Sequence, residues 1–209
     1  MSDPAATFIA RHKTCADWWL FRRRVVVGGA PGPWQAAFEE YFVGRLKDRY
    51  LDPIKTLQSR GCWLGEGFSI VAIQCSLIEF LESTLQGKNY RYLKKGEKLG
   101  PDEYSRSRDV FVAFLCNRHP FKNVFQQQLA EEVYASIRCG ILHEARTKNG
   151  WLIHAGTSQP AMIDPAKHVF YRDKVQEGLL DFIAWYGQAL PSHTGFQEAF
   201  LRKYDHLCQ

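Results

Sequence analysis

The chain is poor in the features by which short sequences usually declare their chemistry. Its six cysteines, Cys15, Cys62, Cys75, Cys116, Cys139 and Cys208, form no CxxC pair and no other close spacing, which excludes a zinc knuckle and a small disulfide scaffold. It holds no GxGxxG, no GxxxxGK[ST], no HExxH and no GxSxG, so dinucleotide-binding, P-loop, zincin and α/β-hydrolase readings have no footing. His143-Glu144 is not a zincin fragment, because Thr147 stands where that motif needs its second histidine. The start, MSDPAATFIARHKTCADWW, lacks an uninterrupted apolar stretch, which argues against a secretory leader. The most apolar run, Phe68 to Leu81, is short and interrupted by Gln74 and Glu79, so a buried amphipathic helix is expected there rather than a membrane span. These absences predict a cytoplasmic protein with no metal, no cofactor and no membrane contact.

What is present is ample apolar material. Of 209 residues, 45% are hydrophobic and 14% aromatic, enough for one substantial core and too much for a disordered chain. Twenty-seven Lys and Arg against 22 Asp and Glu give a formal charge of +5, which permits a polyanionic partner. Residues 1–33 read as an N-terminal segment and linker, since GGAPGP at Gly28 to Pro33 disfavours a regular element. Residues 34–150 read as a helical core. Phe38, Phe42 and Leu46 lie at helical spacing, with Pro53 expected to divide that helix. A second helix is expected over Glu66 to Leu85, a third from Ser107 or Asp109 towards Pro120, and a fourth over Phe121 to Lys148 on the stripe Val133, Ile137, Ile141, stopped by Asn149-Gly150. Residues 151–209 read as an extension: two short strands at Trp151–His154 and His168–Asp173, then helices near Arg172–Leu190 and Gly195–Tyr204. The predicted fold is all-α, an antiparallel helical bundle with a small C-terminal extension that has room for a short hairpin.

The candidate chemistry lies in the fourth helix, where Arg138 precedes His143 by five residues. Five steps of about 100° leave the two side chains roughly 140° apart around the axis, so a symmetric partner could bring two such pairs around one cleft. Histidine serves as general acid or base near neutrality, and arginine offers phosphate a planar fork of donors. In RNA cleavage His143 could take the 2′-hydroxyl proton or protonate the departing 5′-oxygen while Arg138 holds the scissile phosphate. Such a reaction needs no metal, leaves a cyclic phosphate and requires RNA rather than DNA. The competing reading is structural: His143 hydrogen-bonds within the bundle, and Arg138 pairs with Glu131, Glu132 or Glu144.

The block VYASIRCGILHEARTKNG resembles the HEPN superfamily of all-helical nucleotide- and RNA-associated domains. Arg138 and His143 match its Arg-x4-6-His motif on the final core helix, and Ile137, Ile141 and Leu142 have the expected apolar character. The resemblance covers residues 34–150 at most. It implies a homodimeric, metal-independent endoribonuclease that leaves 2′,3′-cyclic phosphate, often within a toxin–antitoxin or antiviral system and held by a cognate antitoxin or other protein partner. It also implies an acidic residue on an earlier helix supporting the arginine. Glu79 matches best because it interrupts an apolar segment, whereas Glu82 reads as part of a solvated face. One position departs from the pattern: Cys139 stands where active members often carry Asn, Asp or His. The alternative is therefore a non-catalytic HEPN-like module that binds RNA or a protein. Arg146 and Lys148 extend positive charge past His143, either for RNA or as complements to the helix dipole. Tyr90, Arg91 and Tyr92 could stack on bases or pin their own loop, and Arg22 to Arg24 read as a solvated charged face.

Overall fold

Apolar spacing becomes helix in most of the places where it recurs every three to four residues. The computed structural model describes residues 7–59, 65–156, 158 and 161–209; Cys62 lies outside them. In chain order the elements are β1 (Phe8–Ala10), β2 (Lys13–Thr14), α1 (Cys15–Arg22), α2 (residues 31–59), α3 (Glu66–Gln86), β3 (Asn89–Tyr90), β4 (Glu103–Tyr104), α4 (Ser107–Asn117), α5 (residues 127–144), β5 (Leu152–His154), β6 (Ile163–Asp164), β7 (Val169–Tyr171), α6 (Arg172–Ala189) and α7 (Thr194–Leu207). Among the described residues, seven helices and seven strands of two or three residues make the fold mainly α. One helix among them, α3, is long and apolar enough to cross a membrane, but 61% of its most apolar stretch is buried against protein.

Several local expectations give way to identifiable physics. The GGAPGP segment does not stay irregular to its end: α2 starts at Pro31, since a proline at the first helical position forgoes only an N–H that has no intrahelical partner. Pro53 does not divide α2. The run carries π-helical turns at Ala37–Val43 and Lys47–Leu51, and the second widens the backbone just where a proline ring needs room. Helix α5 is shorter than its stripe suggested. Phe121–Asn123 forms a separate 3-10 turn, and the helix ends at Glu144, not Lys148, because Ala145 adopts φ 53° and ψ 29°. The two strands read in the C-terminal extension exist but do not form a hairpin together. β5 pairs with β7 in parallel, and the hairpin is made by β6 and β7, giving the order β5-β7-β6. The basic stretch after Gly87 is a largely exposed loop closed at its ends, where β3 and β4 pair in parallel, and within it Arg91 is bonded to Glu103 at 3.0 Å and lies 3.5 Å from Glu97.

The chain forms two compact units drawn from interleaved segments rather than consecutive ones: residues 7–53, 83–105 and 185–209 in one, 54–82 and 106–184 in the other. The first unit buries an aromatic core. Trp18 packs edge-on against Tyr41 at 5.1 Å, Phe42 against Tyr186 at 5.1 Å, and Phe200 stacks on Tyr204 at 4.3 Å. Two polar groups on these rings are satisfied, the Trp18 indole N–H donating to Asp205 at 2.9 Å and the Tyr41 hydroxyl to the Asp17 carbonyl at 3.0 Å. Gly87 follows α3 at φ 65°, and a Cβ there would stand 2.7 Å from the Ala199 Cα, so both conformation and space call for glycine.

The second unit buries Ile70, Leu77 and Leu81 of α3, Phe111 and Phe114 of α4, and Ala130, Val133, Ile137 and Ile141 of α5. Phe114 contacts Phe121 at 5.1 Å and Phe182 at 4.8 Å. Inside this core Glu82 is fully buried and clamped by two guanidinium bonds from Arg118, 2.8 and 2.7 Å long. Glu82 is therefore not on a solvated face, as its helical position had suggested; a charge so placed is tolerated because a bidentate partner meets both oxygens.

Candidate active site

Helix α5 positions the candidate arginine within a π-helical turn, Tyr134–Arg138. The Arg138 guanidinium lies 5.4 Å from the Tyr134 ring centroid and 3.6 Å from the Glu79 carboxylate of α3. Its side chain keeps 17% of its exposure. The Glu79 distance is an ion pair without a hydrogen bond, so electrostatic attraction and the ring face hold the guanidinium while its N–H donors stay uncommitted among the described residues. Tyr134 is fixed in turn: its hydroxyl lies 2.9 Å from Ser107 Oγ, and its ring meets Phe111 edge-on at 5.5 Å. Burial raises the Tyr134 phenol, against the lowering effects of Ser107 and Arg138. Cys75, one turn before Glu79 on α3, has its thiol pushed up to about 12 by burial, with the Arg138 charge opposing. Neither buried group serves as a base near neutrality.

His143 is exposed on the α-helical end of α5 and makes no hydrogen bond or ion pair among the described residues. The residues from Cys139 to His143 are α-helical, so the wide separation of Arg138 and His143 around the axis persists within one chain. Immediately beyond, the chain folds back over the helix. The Ala145 N–H donates to the Ile141 carbonyl at 3.2 Å, an αL closure with alanine in the left-handed position, and the Arg146 N–H donates to the Gly140 carbonyl at 3.3 Å. The Lys148 N–H then reaches the Ser136 carbonyl at 2.9 Å, and the Asn149 amide the Ser136 hydroxyl at 2.9 Å. Gly140 permits this return, because a Cβ there would lie 2.5 Å from the Arg146 carbonyl oxygen.

The other candidates separate. Arg146 and Lys148 both engage Glu144, and those two cations hold its carboxyl below the usual range, Lys148 more than Arg146. One carboxylate thus offsets one of their two positive charges within the turn. Tyr90, Arg91 and Tyr92 belong to the first unit. Tyr90 and Tyr92 are exposed, whereas Arg91 is committed to Glu103, which raises its pKa. Arg22 does not lie on a free basic face, since it pairs with Asp205 at 3.2 Å. Among the described residues no three His, Cys, Asp or Glu side chains are placed to hold a metal ion.

Two contributors escaped the sequence reading. Tyr134 stands four residues before Arg138, a spacing that places side chains together on a helix and could have drawn notice. Arg118, at the end of α4, carried no signal for its bond to Glu82, because nothing local links residues 36 positions apart. No protein-family model, curated protein or solved structure matches the chain.

Proposed function

We propose that the chain is a HEPN-like, metal-independent endoribonuclease in which Arg138 and His143 act on RNA. The observation that carries this reading is the state of Arg138: it is oriented by Glu79 and the Tyr134 ring, yet spends no hydrogen bond on either. A guanidinium arranged in this way is ready to hold a phosphodiester and the charge that develops on it. His143, exposed and with no side-chain partner among the described residues, would transfer the proton. It would take the 2′-hydroxyl proton as that oxygen attacks phosphorus, or deliver one to the departing 5′-oxygen, leaving a 2′,3′-cyclic phosphate. The wide angle between the two side chains favours a homodimer, with helices of the second unit as an antiparallel bundle and the motifs of two copies facing one cleft. A cytoplasmic setting, a cognate inhibitory protein and a defence or toxin role complete the proposal through the HEPN resemblance.

The test is cleavage of a mixed RNA pool in excess chelator by wild-type protein and a folded His143→Ala variant, with product ends analysed. Wild-type-only cleavage leaving cyclic phosphate is expected. Equal cleavage by both proteins would remove His143 from the site. The second reading, a non-catalytic module that binds RNA or protein, is favoured by Cys139, which gives the site a thiol in place of a stronger hydrogen-bonding side chain. Binding of RNA without any change in its length would select it.

A further inference from the structure

A cleft in the first unit is built from elements that the proposed ribonuclease chemistry does not use. It encloses about 310 Å³ and is lined by Arg11, His12 and Lys13 of the β1–β2 turn together with Glu39, Glu40 and Lys47 of α2. Its size is at the lower end of small-molecule sites, that of a nucleotide-sized ligand. Two backbone features shape it. The α2 wall includes the π-helical turn Ala37–Val43, a form that occurs often at functional sites. Arg11 is held at φ 42°, which turns the β1–β2 connection over α2 at a residue with a Cβ.

The charges in the cleft are unequal in their commitments. Lys13 is bound to Glu40 at 2.8 Å, and Arg11 lies 3.5 Å from Asp48. His12, Lys47 and Glu39 make no ion pair or side-chain hydrogen bond among the described residues. Below the turn, Arg45 and Arg49 both donate to the Ile9 carbonyl, at 2.8 and 3.1 Å. Arg49 is lowered by burial first and then by the Arg45 charge. Among the lining side chains Arg11, Lys13 and Lys47 face Glu39 and Glu40, a formal excess of one positive charge with His12 neutral.

We infer that the cleft binds a phosphate ester, with Lys47, His12 and the Arg11 edge on the phosphate and Glu39 accepting from hydroxyl or amino groups of the attached moiety. This inference is independent of Arg138 and His143. Cationic donors meet phosphate oxygens with short, strong hydrogen bonds, and a carboxylate beside them repels a bare anion while accepting from a sugar or base. Two sources share this chemistry: a free phosphate monoester and a nucleic-acid backbone.

Calorimetric titration of the full chain with adenosine 5′-monophosphate, with adenosine and with a short single-stranded DNA separates them. The DNA carries phosphodiesters but no 2′-hydroxyl, so failure of the ribonuclease reading cannot disturb the result. Binding of the monophosphate but not adenosine, weakened about tenfold by Lys47→Gln and by His12→Gln at unchanged Tm, identifies a monoester site; tenfold is the loss of one charge-assisted hydrogen bond. Binding of DNA alone, weakened by the same variants, keeps the proposal and assigns the backbone as source. Binding that ignores both substitutions, or no binding of any phosphate probe, overturns it.

Discussion

At the scale of single residues, the side chains that matter most in the second unit are two arginines used in opposite ways. Arg118 spends its fork on the fully buried Glu82, so removing it takes a bidentate charge partner from a carboxylate in the core. Arg118→Met is expected to cost about 3–5 kcal/mol, read as a drop in urea midpoint, and the double variant Glu82→Leu/Arg118→Met should recover most of it. Arg138 instead makes no hydrogen bond among the described residues, beside Glu79 and over Tyr134. On the proposed function, Arg138→Lys should lose cleavage nearly as fully as Arg138→Ala, because an ammonium keeps the charge but neither the planar fork nor the ring stacking. Retention of most cleavage by the lysine variant would show that only charge is needed there.

At the scale of elements, the end of α5 concentrates the local strain. Ala145 occupies a left-handed position that glycine fills more cheaply, so Ala145→Gly should stabilise the protein by about 1 kcal/mol. Gly140 is the reverse case. It sits inside a helix, where glycine is costly, but the returning chain leaves no room for a methyl group. Gly140→Ala is expected to destabilise by about 1–3 kcal/mol through overpacking despite its better helix propensity. Chemical denaturation of the two variants side by side checks both signs. Opposite shifts would support the return of residues 146–149 over α5, and a gain from Gly140→Ala would contradict it.

At the scale of the whole molecule, ionisation bounds stability from both sides. Asp17, Glu103, Glu144 and Asp164 titrate below their ordinary values, chiefly through hydrogen bonds from Thr14, Gly100, Lys148 and Lys167 respectively. A carboxyl depressed on folding contributes stability above its unfolded pKa, near 4, and loses it as pH falls through the folded value. Tm is therefore expected to fall below about pH 4. Burial acts oppositely on Tyr41, pushed up to about 12, and raises Tyr186 and Tyr204 as well. A phenol raised on folding favours the native state below its unfolded pKa, near 10, and loses that contribution as pH rises through the folded value. A second decline in Tm should begin near pH 10. A flat profile between pH 10 and 12 would show that these tyrosines are solvated.

The sequence by itself determined where helices form, because apolar side chains recurring every three to four residues bury only in that conformation: α3, α4, α6 and α7 begin within two residues of their predicted starts. It also offered Arg138 and His143 as candidates and, through the HEPN resemblance, Glu79, whose carboxylate interrupts an apolar segment visible in one dimension. Tertiary structure decided the rest. That β7 pairs with both β5 and β6, whether Glu82 is solvated or clamped by Arg118, and whether Gly140 is a weak helix residue or a contact point each depend on a partner far away or arriving from outside the helix. Local propensity carries no record of such partners, because their energies arise only once the chain has brought the groups within a few ångströms of one another.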